Sequence, residues 1–207
     1  MFAPQSQGAS PPPPFRPDPV IGSAFHASDP LISPEDKAVP RLTAAMANVK
    51  TPPLRDLEET FPDPENGLTF IKNVSIPLKA SPLPIRANVY VPISSEQGAK
   101  YPVLVTYGPY GKDIPYETFF HGSFSEVNPE HRSKYSAWET PDPVYWCREG
   151  YVIVRADERG LGQSPGLLDT MSKGTSECFF DVVEWAAEQP WSNGKVGLLG
   201  ISYYAGK

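Results

Sequence analysis

Between Tyr151 and Leu199 two short apolar runs flank a stretch with apolar residues at helical spacing, and few folds accommodate that order. Tyr151-Val152-Ile153-Val154-Arg155-Ala156 is nearly continuous in apolar side chains, as a parallel strand buried on both faces requires. Phe179, Val182, Val183 and Ala186 then recur at i, i+3, i+4 and i+7, which predicts a helix over 175–189 with one apolar stripe. Thr175 or Ser176 is the expected cap, with Glu177 in the first turn. Pro190 ends the helix, and Asn193-Gly194 turns the chain back into a second strand, Val196-Gly197-Leu198-Leu199. Strand, helix and strand with short loops make a βαβ unit, so the expected class is α/β with a parallel sheet.

Upstream, Phe70 to Ile76 alternates at roughly period two, and Ile85, Ala87, Val89 and Val91 share one face of a further strand. The turn-rich residues 78–84 between them predict an antiparallel opening ribbon. Pro102 to Thr106 is another short strand, followed by the turn Tyr107-Gly108-Pro109-Tyr110-Gly111-Lys112. An aromatic stretch runs on to Trp146, and a helix over 142–149 is expected to carry Trp146 and Cys147 inward.

The 207 residues suffice for one domain with a core. Prolines crowd the N-terminal region, including the run Pro11 to Pro14, so residues 1–38 are expected to be a disordered tail; a polyproline ligand for an SH3 or WW domain is the alternative. Residues 39–67 form an extended or helical lead-in, with a short helix around Arg41 to Val49 ended by Pro52 and Pro53. The net charge of −6 and the absence of a basic cluster argue against nucleic-acid binding. No apolar run is long enough to span a bilayer and no secretory leader is visible, so a cytoplasmic location without membrane contact is expected. On that reading the sequon at Asn73 is a chance match. Cys147 and Cys178 form no metal-binding pair and read as reduced core thiols. No cofactor or metal is expected.

After the last strand comes Gly200-Ile201-Ser202-Tyr203-Tyr204-Ala205. A nucleophilic serine needs a sharp strand-to-helix turn that lifts its hydroxyl above the sheet. It also needs small residues on either side, and a following backbone N–H aimed at the developing oxyanion. This stretch fits that pattern, except that the fifth position of the common G-x-S-x-G is Tyr204. A phosphate loop fits worse: the spacing from Gly200 to Gly206-Lys207 is one residue too long, and no serine or threonine follows the lysine. From these residues alone Ser202 is either a nucleophile or a helix N-cap.

The order of motifs resembles the CocE/NonD hydrolases and the related Xaa-Pro dipeptidyl-peptidases, a branch of the α/β-hydrolase fold. The matching stretches are Gly108-Pro109-Tyr110-Gly111-Lys112 after a strand; Arg159-Gly160-Leu161-Gly162-Gln163-Ser164-Pro165-Gly166 after the next; the helix end Glu184-Trp185 with 189–197; and the G-I-S-Y-Y-A turn. The resemblance covers residues 68–207. It implies the N-terminal half of an α/β-hydrolase sheet, mostly parallel with antiparallel opening strands. It also implies Ser202 as nucleophile of an acyl-enzyme, the Tyr110 hydroxyl in the oxyanion hole and the Tyr203 backbone N–H as second donor. Asp157 and Arg159 are expected to form a structural ion pair. The sequence departs from the family at residues 79–84, which replace an R-D-G hairpin, and in the long aromatic stretch 114–146, expected at the pocket edge.

A serine nucleophile needs a histidine base and an orienting carboxylate, which in this fold follow it in the chain. The histidines are His26, His121 and His131, all before Ser202. Gly206-Lys207 can be encoded by a splice-donor-like GGTAAG. The expectation is therefore a chain interrupted after the elbow, inactive alone and poorly soluble because of an unpaired sheet edge. The implied substrates are small acyl esters or amides, or short Xaa-Pro peptides; the alternative is a non-catalytic fragment or interaction protein. Oligomeric state is not legible.

Overall fold

The computed structural model describes residues 57–206. The tail expected over 1–38 and the helix expected at Arg41 to Val49 lie outside the described residues. Where β-branched and aromatic residues alternate, strands form: β1 (Glu59–Asp63), β2 (Leu68–Leu78), β3 (Ser81–Pro92), β4 (Tyr101–Gly108), β5 (Val152–Asp157) and β6 (Ser192–Leu198). They build one mixed sheet in the order β1-β2-β3-β5-β4-β6. β1, β2, β3 and β5 pair antiparallel in succession, and β4 runs parallel to both β5 and β6.

The β2–β3 hairpin turns more tightly than expected. Leu78 already pairs with Ser81, so only Lys79-Ala80 turn, and Ser81 to Pro84 belong to the strand. Pro82 and Pro84 are tolerated there because β5 pairs only with Ala87 to Tyr90, which leaves that end of β3 without a second neighbour. β1 was not legible as a strand. It is short, contains Pro62 and is mostly exposed, and falls within the lead-in expected over 39–67.

Helices cover the two faces. α4 (Lys173–Glu188) lays Phe179, Val182 and Ala186 on Ile85, Val89, Val105 and Val154, with Val183 partly buried beside them. The ring of Phe179 stacks on Tyr107 at 5.3 Å. The other face buries Leu68, Tyr90, Leu104 and Ile153 against Val144 and Cys147 of α3 (Pro143–Arg148). Cys147 points inward as expected and Trp146 is half-buried. Both cysteines are free and buried; burial pushes the Cys147 thiol up to about 12 and raises that of Cys178 as well, which suits inert core thiols. Two short helices, α1 (Tyr116–Phe119) and α2 (His121–Glu126), precede α3 in the aromatic stretch.

The cap of α4 is neither Thr175 nor Ser176 but Ser172, whose side chain accepts the Thr175 N–H at 3.1 Å. Thr175 cannot serve because its hydroxyl is buried and committed to Glu158. α4 leads from β5 to β6, and these strands flank β4 rather than each other, so the crossover passes over an intervening strand. Among the described residues no helix is long and apolar enough to cross a membrane.

Candidate active site

Three parallel strands, β4, β5 and β6, end on one edge of the sheet, and the loops that leave them carry the candidate residues. Such an edge is where α/β sheets hold ligands. After β6 the chain turns through one 3-10 turn, Ser202–Ala205. Ser202 is exposed and sits at φ +56°, a left-handed backbone that costs a non-glycine residue about 1–3 kcal/mol. Ile201 occupies the cap position and no side chain caps the turn, so Ser202 is not an N-cap.

Tyr204 explains the departure from G-x-S-x-G. Its buried ring lies against Gly108, where a Cβ would come within 2.3 Å of Cε1. A Cβ on Gly200 would meet the Tyr204 Cβ at 2.2 Å. A bulky fifth residue is thus accommodated because glycines stand at two other positions around it. Tyr110, on the loop after β4, packs edge-on against Tyr203 and Tyr204, with ring centroids 6.3 and 5.6 Å away. Phe119 lies on its other side at 5.7 Å. The structure therefore brings Tyr110 into ring contact with Tyr203 and Tyr204 on the turn that carries Ser202.

The Tyr110 loop is fixed from below. The Lys112 N–H donates to Asp157 Oδ1 at 2.6 Å, and the buried Lys112 ammonium donates to Asn73 Oδ1 at 2.5 Å and Asp113 Oδ2 at 2.6 Å. Burial lowers the pKa of Lys112. Asn88 donates to Asp113 Oδ1 at 2.9 Å and accepts the Asn73 N–H. The lysine of the loop motif is a structural tether.

The ion pair expected between Asp157 and Arg159 does not form. Asp157 points back under the loop and accepts the N–H groups of Lys112 and Gln163, with Gly162 too close to carry a side chain. Arg159 instead pairs with Asp169. Between them, Glu158 is fully buried and accepts from Tyr203 Oη and Thr175 Oγ1. Nothing in the sequence singles it out, since a lone glutamate in a loop carries no signal of burial.

The aromatic stretch lines a cavity next to the serine turn that includes neither Ser202 nor Tyr110. A cavity of about 300 Å³ beside the turn is lined by Tyr116, His131, Trp138, Glu139 and Ile201 among others. Glu139, also missed in the sequence, stands at φ +57°, and its carbonyl accepts the Ile201 N–H at 3.4 Å. Burial raises its carboxyl pKa. A larger cavity, about 610 Å³, lies over Phe70, Tyr90, Tyr135 and Arg155 and includes neither Tyr110 nor the serine turn. His121 approaches Glu117 at 3.9 Å on the surface, and His131 stacks on Tyr145 at 4.2 Å.

The sheet order, the crossover helix and the strained serine turn at the end of a parallel strand define an α/β-hydrolase fold. The model of the X-Pro dipeptidyl-peptidase (S15) family matches residues 83–207. Cocaine esterase from Rhodococcus sp. (strain MB1 Bresler) is 33% identical over 78 residues, which is 37% of this chain and 13% of that protein. A CocE/NonD family hydrolase from Staphylococcus aureus superposes with a TM-score of 0.56 at 30% identity, over 67% of this chain and 24% of that one. The chain belongs to the X-Pro dipeptidyl-peptidase (S15) family. It spans about a quarter or less of the length of these relatives.

Proposed function

We propose that residues 68–207 supply the nucleophile and oxyanion hole of a serine hydrolase acting on acyl esters or amides, with short Xaa-Pro peptides among the candidate substrates. Ser202 Oγ attacks the substrate carbonyl carbon while a base takes its proton. The tetrahedral intermediate expels the alcohol or amine, which receives that proton, and water then hydrolyses the acyl-Ser202 ester. The Tyr203 N–H and the Tyr110 hydroxyl donate to the oxyanion.

The observation that carries this reading is Ser202 itself: exposed, at φ +56° and without a capping role, on the turn packed beside Tyr110. Among the described residues neither His121 nor His131 has a hydrogen bond to Ser202; their contacts are with Glu117 and Tyr145. The base and its carboxylate are accordingly assigned to residues outside those described, and the described residues alone are expected to turn over no ester.

The test is labelling with a fluorophosphonate probe and hydrolysis of an activated ester by the full-length protein. Both are expected, and both are expected to vanish in Ser202→Ala. Labelling that persists in Ser202→Ala assigns the nucleophile elsewhere; a full-length protein that neither labels nor hydrolyses supports the non-catalytic alternative.

A further inference from the structure

We propose that Glu158 is a positioning residue: its buried carboxylate grips the Tyr203 hydroxyl and thereby aims the Tyr203 backbone N–H at the oxyanion. This rests on the reading of Tyr203 as an oxyanion donor. Glu158 has no exposed surface. Its oxygens accept from Tyr203 Oη at 3.2 and 3.0 Å, and Oε1 also accepts from Thr175 Oγ1 at 2.8 Å. A carboxylate is kept in such a place only where donors satisfy it.

The tie joins parts of the molecule that the sheet leaves uncoupled. Glu158 follows β5 and Tyr203 follows β6, and β4 lies between those strands. Glu158 is itself anchored, since its N–H donates to Gly108 O at the end of β4 at 3.0 Å. Thr175 brings in the first turn of α4, and its hydroxyl is within 3.1 Å of Tyr107 Oη. The serine turn is a single 3-10 turn, bounded by the backbone bonds Tyr204 N–H to Ile201 O and Gly206 N–H to Tyr203 O. An outside grip on the second residue of this turn fixes the plane of the peptide between Ser202 and Tyr203. Burial and the neighbouring Glu158 push the Tyr203 hydroxyl up to about 12, so it stays a donor throughout the working range.

The experiment measures kcat and KM in the full-length protein, per active site titrated with a fluorophosphonate, for Tyr203→Phe, Glu158→Ala, Glu158→Gln and the double variant Tyr203→Phe/Glu158→Ala. Tyr203→Phe keeps the ring and the backbone amide and loses the hydroxyl, with its bonds to Glu158 and its contacts with Thr170 and Met171. It and Glu158→Ala are each expected to lower kcat about tenfold with KM nearly unchanged. The double variant is expected to be no worse than Glu158→Ala alone, because that variant already removes the Tyr203 bond together with the Thr175 bond. Glu158→Gln still accepts and is expected to retain most activity. Unchanged kcat in Tyr203→Phe, or losses that multiply in the double variant, would overturn the proposal. If the unsubstituted protein takes no label, the catalytic reading falls, and the grip is judged by amide exchange over 202–205. That exchange must quicken about tenfold in Tyr203→Phe; unchanged exchange rejects the grip as well.

Discussion

Ser202 and Tyr110 show how much a single side chain depends on what holds it. Left-handed φ at Ser202 persists because Tyr204 is wedged between Gly108 and Gly200 and holds the turn in shape. Tyr110 is held by the tether of Lys112 to Asn73 and Asp113 and by contact with Tyr203, Tyr204 and Phe119. A tyrosine placed in this way offers a neutral donor without reorganisation. Tyr110→Phe is therefore expected to lower kcat of the full-length protein about 10²–10³-fold with little change in KM. Steady-state kinetics on an activated ester checks it, and an unchanged kcat removes Tyr110 from the oxyanion hole. The place of Tyr110 on the loop after β4 was legible in the sequence; the burial of Glu158 was not, because its partners stand 17 and 45 positions away in the chain.

At the scale of elements, α4 was predicted within two residues of its observed ends, since its apolar stripe follows from helical spacing alone. Its cap was misjudged because capping depends on where the preceding loop arrives. Ser172 arrives with its oxygen on the Thr175 N–H, and Thr175 turns inward. Ser172→Ala is expected to destabilise the protein by about 1 kcal/mol, measured as a lower urea midpoint at constant slope. The Thr175 hydroxyl lies outside the cap and donates to buried Glu158, so Thr175→Val, which takes a donor from that carboxylate, is expected to cost more than Ser172→Ala. The edge strand β1 was missed for a similar reason: with four of its five residues exposed, it carries no alternation and exists through its pairing with β2.

Across the whole molecule, the aromatic stretch between β4 and β5 is bound to the far edge of the sheet through Asp63. That carboxylate, at the end of β1, accepts from Lys134 Nζ at 2.8 Å, Tyr135 Oη at 2.7 Å and Asn66 Nδ2 at 2.9 Å. Lys134 first, then Asn66 and Tyr135, hold its pKa below the ordinary carboxylate range. The charged form is favoured by folding, so its contribution is present above the ordinary carboxylate pKa and is lost as the pH falls below it. Asp63→Asn is expected to be less stable than the unsubstituted chain at about pH 7, with the gap narrowing toward about pH 2. Urea midpoints at the two pH values check this; a gap that widens in acid contradicts it.

The sequence alone determined the α/β class, the strands β2 to β6, the inward stripe of α4 and the position of the serine turn. Each depends on periodicity or on glycine spacing, which act over a few neighbouring residues. Tertiary structure alone decided that β4 lies between β5 and β6, that Arg159 pairs with Asp169 rather than Asp157, and that Glu158 reaches Tyr203. Those are choices among partners distant in the chain. Burial and hydrogen-bond satisfaction of the packed sheet select between them, and no local pattern records the outcome.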